Sequence, residues 1–418
     1  MAELSELFPN AASIDSAAAA GGRMEFSAIP AKGAVYLLTA EGGGPVLLAT
    51  VGDLRAALLR RLADTAADAK SKRVEYGRIC TRVHYRVVYS PFAANYWYHV
   101  AAKALYAETS RALIPWRDSW WIGVEKEGDF PRFRKMTDVT DGKLVYAGPI
   151  RDKHAANRLV ELMEDLFDLC RYHQILVQAP HGKACAYKEM GKCPAPCDGS
   201  VSLGHYRGQI EEALEFLGAE GREHWFAEME ARMTAAAGKR EFEKAARMQQ
   251  RLKRASVTRE QPFRHVGRLE DFSFLALEPG QGRPYLEPFL IYRGRIVPRE
   301  VIQKKTLDAS VKAIFSHCKE AFVWRETDAG KGQGQDLPLS LSETLALVSH
   351  HLYRGEADPG RYLRLRDVVD GGVEFLEREM SAFLMRKSKE KPLPELGTDA
   401  GPVEPHNSQA EPTSQPDA

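Results

Sequence analysis

The chain has 418 residues, 44% of them hydrophobic, and 58 Lys and Arg against 57 Asp and Glu give a net charge of +1. That length allows about two or three domains, and the near-zero charge excludes a global polyanion-binding surface, so any nucleic-acid contact must be a local patch. No apolar run approaches the roughly 20 residues that span a bilayer, and an N-terminus carrying Glu3, Glu6 and a short Ala tract is not a secretory signal. The expectation is a cytoplasmic protein with reduced thiols and no membrane contact.

Residues 1–27 are rich in Ala, Ser and Gly and are expected to be poorly ordered. Two short apolar runs, 33–38 and 45–49, flank the Gly-rich 41–44 and predict a hairpin. Asp53 is placed to cap a helix over 54–62, where Leu54, Leu58 and Leu62 share a face. A strand over 83–89 and a helix over about 93–106 complete a β-β-α-β-α order, a small α/β domain at 28–110. Strands are expected over 116–124 and 130–134, a turn at 148–151, and an amphipathic helix over 153–169. Three helical pieces follow, over 202–217, 220–237 and 239–255. A second α/β segment, 257–385, carries strands over 272–277, 285–292 and 296–299 and helices over 341–353 and 372–385. Residues 330–335 read as a flexible loop without the Gly-Lys-Ser/Thr ending of a phosphate-binding loop. The polar tail 386–418 is expected to be disordered.

Cys170, Cys185, Cys193 and Cys197 cluster within the connecting stretch 111–201, while Cys80 and Cys318 stand apart. Clustered thiols in a chain without a secretion signal point to metal rather than disulfides. Four thiolates can hold one zinc ion or one iron–sulfur cluster. The wide spacings, with Pro194 and Pro196 between the last two cysteines, suit a cluster better than the two tight knuckles of a zinc ribbon. Zinc remains the alternative.

The cysteine block followed by Phe242-Glu-Lys-Ala-Ala246-Arg resembles the middle of UvrC, the nuclease component of excinuclease ABC. In that family a Cys-x7-Cys-x3-Cys run with an upstream Cys carries an iron–sulfur cluster, here implying a 4Fe–4S group on the four cysteines named. A UVR motif, F-E-x-A-A-x-x-R, follows it. Phe242, Glu243, Ala245 and Ala246 match, and the final Arg position reads Gln249. In the family this helical hairpin, here 202–256, pairs with an equivalent hairpin of the UvrB subunit, which makes Phe242, Glu243, Ala245, Ala246 and Leu252 the expected partner-binding residues. Residues 33–62 and 83–106 resemble a diverged GIY-YIG nuclease domain, and 289–297 resembles the segment after the UVR motif.

Two departures bear on function. The family's RNase H-like and helix-hairpin-helix half finds no room before the polar tail. The GIY-YIG centre is also altered, since cleavage there needs a tyrosine beside the attacking water, an arginine for phosphoryl charge and a glutamate for Mg²⁺. Of that set Tyr36 survives. Leu47 stands at the second tyrosine, Thr50 at the lysine, Ala57 at the arginine and His99 near the glutamate. A register shifted through Gly52 puts Arg60 at the arginine site but still loses the second tyrosine. Losing one such electrostatic group typically costs about 10²–10³-fold in rate, and Mg²⁺ prefers oxygen to imidazole. Tyr36 is therefore expected to pack rather than catalyse.

Arg55, Arg60 and Arg61, on the first helix, are candidate DNA phosphate contacts. Trp116, Trp120 and Trp121 read as strand core, and His350-His351 as a surface pair. The expectation is a truncated UvrC-like protein in nucleotide excision repair. It would bind DNA or a UvrB-type subunit with a degenerate nuclease centre, and Mg²⁺ would be needed only if that centre were active. The alternatives are an active endonuclease with a rebuilt site, and an iron–sulfur interaction protein of another complex.

Overall fold

The computed structural model describes residues 4–14, 27–62, 76–140, 142–282, 284–323, 339–355, 358–386 and 393–397. The loop expected at 330–335 lies outside the described residues, as do 1–3, 15–26 and all of the tail beyond 386 except 393–397. The expected mixed α/β architecture is the one observed, arranged as three antiparallel sheets with helices between them.

The first sheet holds β1 (Asn10–Ser13), β2 (Ala34–Ala40), β3 (Pro45–Val51) and β4 (Cys80–Val87) in the order β1-β4-β2-β3. Residues 4–14 thus correct the expectation of a poorly ordered N-terminus, because Asn10–Ser13 pairs with Arg82–Tyr85 along an edge that would otherwise be open. The tail needs a similar correction at 393–397. Leu396 bridges to Thr50, and Leu393 fills the space beside Gly33.

Alternation divides the sheet residues between two faces. Ala34, Tyr36, Leu38, Leu47, Ala49 and Val51 pack with α1 (Leu54–Leu62), whereas Val35, Leu37 and Leu48 join a second cluster with α2 (Pro91–Tyr106). Asp53 caps α1 through its Oδ1, which accepts from the Ala56 N–H at 3.0 Å. Ser90 caps α2 in the same way, and Pro91 occupies its first turn. Residues 91–102 of α2 are almost all buried, as befits a helix apolar on every side. One side of it meets the first sheet. On the other, Phe92 packs edge-on against Phe289 at 5.0 Å.

The second sheet, ordered β6-β5-β7-β8, contains β5 (Trp120–Glu125), β6 (Arg134–Met136), β7 (Leu144–Ile150) and β8 (Gly267–Arg268). Pairing begins at Arg134 rather than across 130–134, where Pro131 would remove a donor. The expected turn at 148–151 is instead the end of β7. Gly148 sits within it because a Cβ there would stand 2.6 Å from the Trp121 ring. Trp121 and Trp116 are buried, as expected of core residues. Against this sheet packs α3 (Lys153–Leu166), presenting Ala155, Leu159, Met163 and Leu166. The helix stops short of 169 because Asp168 takes a left-handed φ of 51°, turning the chain toward Cys170.

Three helices follow, α4 (Leu203–Leu217), α5 (Ala219–Gly238) and α6 (Phe242–Ala255). The third sheet runs β11-β10-β9-β13, with β12 also on β10. Its strands are β9 (Phe274–Pro279), β10 (Tyr285–Tyr292), β11 (Arg295–Pro298), β12 (Ile302–Gln303) and β13 (Arg361–Arg364). The helices α7 (Leu307–Val323), α8 (Leu341–Leu352) and α9 (Leu365–Met385) cover it, α9 being kinked at Gly372, whose φ is 72°. Val35, Phe92, Trp121, Phe272, Phe289 and Leu345 share one core, so the first domain, the connecting strands and the C-terminal segment interlock around α2. Among the described residues no helix is long and apolar enough to cross a membrane.

Candidate functional site

Tyr36 lies on β2 opposite Ala49 and Tyr85 and is fully buried on the α1 face of the sheet. Arg61, in the last turn of α1, donates from Nη1 to the Tyr36 hydroxyl and stacks its guanidinium 5.8 Å from the ring centroid. The remaining candidate positions do not join them. His99 projects from α2, beyond the opposite face of the sheet, where Nε2 stands 3.8 Å from Glu343 Oε1 and the ring meets Trp116 edge-on. Burial pushes the Glu343 carboxyl up, but hydrogen bonds from His99, the Ser340 backbone and Lys103 outweigh it and hold that carboxyl far below the usual range. His99 thus serves the packing of α2 against α8. Thr50 is buried and committed to the tail, its hydroxyl donating to the Pro394 carbonyl and accepting from Leu396 N–H at 2.9 Å. Leu47 and Ala57 pack in the same cluster as Tyr36.

The three arginines proposed for DNA divide. Arg55 spends its guanidinium on the backbone, with Nε donating to Ile29 O at 2.7 Å and Nη2 to Ser27 O at 3.3 Å. Arg61 is held by Tyr36. Arg60 is the exposed member.

The cysteines are gathered by the loop between α3 and α4. Cys170, Cys193 and Cys197 are buried, and Cys185 is half-buried. Gly182 N–H donates to Cys197 O at 2.8 Å, and Lys188 Nζ reaches Asp198 Oδ2 at 2.6 Å and Ser200 Oγ at 2.7 Å. Arg171 lies 4.5 Å above the Tyr187 ring centroid. Between the two prolines, Ala195 is held at φ 58°, a conformation non-glycine residues seldom take. Cys170 Sγ donates to the Tyr172 carbonyl at 3.5 Å. Interaction between the Cys170 and Cys193 thiols holds Cys193 below the ordinary thiol range against the opposing effect of burial, with help from the Ala195 backbone and Arg171. The same interaction pushes Cys170 up. Burial, Asp198 and Cys193 all raise Cys197. The donor set is thus a close thiol pair with a third thiol within electrostatic reach. Among the described residues no three His, Cys, Asp or Glu side chains are positioned to hold an ion, so the set as folded fits a metal group only pairwise.

Helices α5 and α6 form the expected hairpin. Phe242 opens α6 and is 67% exposed, which removes the internal packing against Phe226 or Met229 that a core role would need. Glu243, Ala246 and Gln249 are exposed beside it and Ala245 is half-buried, while Leu252 turns inward against the α3–α4 core. The reading of His350-His351 as a surface pair is corrected. His351 is fully buried, with Nδ1 hydrogen-bonded to Asp358 and Nε2 3.0 Å from Asn95 Nδ2, because the α2 face of α8 is the buried one. Sequence reasoning missed this triad, which joins α2, α8 and the loop that follows α8.

Residues 119–216, which include all four clustered cysteines, match the family model for the UvrC/Cho excinuclease middle domain. Among curated proteins the chain is 32% identical over 204 residues to the UvrABC system protein C of Desulforudis audaxviator, covering 47% of this chain and 32% of that one. It is 27% identical over 192 residues to that of Acetivibrio thermocellus, covering 46% and 31%. With the protein of Moorella thermoacetica the identity is 32% over 134 residues, covering 32% and 21%. The aligned part therefore spans a third or less of these relatives' length. No solved structure matches. Cysteine block, middle-domain match and relatives agree: over its middle region the chain is similar to UvrC.

Proposed function

We propose that this protein acts in nucleotide excision repair, in the cytoplasm, as a partner-binding relative of the excinuclease nuclease whose GIY-YIG-like centre does not cut. The carrying observation is Phe242, a large aromatic left in solvent at the start of a hairpin helix, with small Ala246 beside it. Such an anchor gains by filling a pocket on a partner, and small neighbours allow close helix approach. The relatives' name places them in the UvrABC system, and the partner we propose is the UvrB-type subunit. Phe242→Ala should abolish its pull-down, costing about 2–4 kcal/mol of binding. Failure of the unaltered protein to capture that partner at micromolar concentration would remove the assignment in favour of an unrelated complex.

The pairing of Arg61 with Tyr36 is the observation that favours an active nuclease, since a tyrosine and an arginine do meet. Full burial argues against it, because neither water nor a phosphodiester reaches the hydroxyl in this state. Purified protein with Mg²⁺ or Mn²⁺ should leave supercoiled DNA intact. Cleavage that Tyr36→Phe abolishes would overturn the degenerate reading.

The four cysteines are proposed to hold an iron–sulfur cluster, with zinc as the alternative. The Cys170–Cys193 thiol pair and the adjacent Cys197 support this, and Cys185 would supply the fourth thiolate. Anaerobically purified protein should contain iron and acid-labile sulfide, and Cys193→Ser should lose both. Zinc without iron would replace the cluster with a structural zinc site.

A further inference from the structure

We propose that the cleft between α6 and the cysteine loop binds the phosphodiester backbone of single-stranded nucleic acid. This goes beyond the partner reading, which uses the Phe242 face of the same helix. Along α6, Lys244, Arg247, Arg251 and Arg254 recur at spacings of three, four and three, so they form one stripe. That stripe lines a cleft of about 410 Å³ together with Arg232 of α5 and Lys192, which precedes Cys193. Six cations there face two carboxylates, Asp165 and Asp168, both at the end of α3.

Half of those cations have a carboxylate partner and half do not. Asp165 is engaged by Arg171, outside the cleft, and Asp168 stands 3.6 Å from Arg251. Arg232 pairs with Glu228, and Lys244 with Glu241 at 3.2 Å, both exposed pairs of the kind worth little in water. Among the described residues, Lys192, Arg247 and Arg254 have no carboxylate within ion-pair distance.

The dimensions select the ligand. A helix rises about 1.5 Å per residue, so successive cations stand roughly 4.5–6 Å apart along the helix axis. A regular row of that kind suits a polymer with an anion on every unit. Arginine's planar fork also matches phosphate oxygens in pairs. A cleft of that volume admits a stretch of one strand's backbone, whereas a duplex would meet only its rim. Met229 and Met248 supply its apolar lining and no aromatic ring takes part, so binding should ignore base identity.

The test uses the full chain and a fluorescein-labelled oligothymidylate of about 16 nucleotides, followed by anisotropy across a salt series. Arg247→Gln with Arg254→Gln should weaken binding more than about tenfold at low salt and reduce the slope of log affinity against log salt by about 1.4, roughly 0.7 per lost phosphate contact. Both residues are exposed, so melting temperature should hold. The pair Arg247→Lys with Arg254→Lys should keep the slope. Lys312→Gln with Lys319→Gln, an equal charge loss on α7, should leave binding unchanged. An unchanged slope in the Arg-to-Gln protein would sink the proposal. Equal displacement by poly-glutamate would assign the cleft to an acidic peptide instead, and equally tight binding of a duplex would remove the single-strand assignment.

Discussion

The first sheet and the α5–α6 hairpin both carry residues that resemble a family motif, and the fold treats them oppositely. Tyr36 is enclosed between β2 and α1 with its hydroxyl held by Arg61, whereas Phe242 stands two-thirds exposed. A motif residue sealed in a core contributes mainly to stability. One held in solvent costs little to remove from the isolated fold and keeps its apolar surface for a partner. The same type of resemblance therefore points to different work in the two regions.

Truncation should separate the regions most widely. Tyr36→Ala should cost about 3–5 kcal/mol in denaturant unfolding, the usual range for emptying a buried aromatic site. Phe242→Ala should change the same measurement by no more than about 0.5 kcal/mol. A large loss from Phe242→Ala, or none from Tyr36→Ala, would break the contrast.

A pH series sharpens it from the sheet side. Burial pushes the Glu287 carboxyl of β10 up to about 7 from 4.5, against the pull of Arg86 on β4. Between those values the folded protein keeps a proton that the unfolded chain has released. Its contribution is therefore full at low pH and is lost as pH rises from about 4.5 through 7. Glu287 is half-buried, which trims the effect. Glu287→Gln should flatten this slope and stabilise the protein by ~2 kcal/mol at about pH 8, leaving partner capture by Phe242 untouched. Arg61→Gln should have a smaller effect than either Tyr36→Ala or Glu287→Gln. Loss of the charged donor to a buried hydroxyl should cost ~1.5 kcal/mol in the same unfolding assay, and no loss would mean that Arg61 does not lock Tyr36.

Local pattern carried much of the fold. The Gly-punctuated pair of strands, the Asp53-capped α1, the amphipathic α3 and the α5–α6 hairpin are all legible from spacing and caps, because their signals lie within one element. The cysteine block and the 3-4-3 row of cations on α6 are written in the sequence in the same way. Tertiary structure decided what those residues face. A period of two assigns Tyr36 and Val35 to opposite sides of one sheet, and only the placement of α1 and α2 shows that His99 cannot meet Tyr36. The cation row became a cleft because α3 and the cysteine loop stand across from it. His351 turned out to be buried because Asn95, 256 residues earlier in the chain, and Asp358 receive it. Residues 393–397 find order on β3 because its edge offers Thr50 as a hydrogen-bond partner. Contacts of this kind join residues with no periodic relation in the chain, so local propensity cannot encode them.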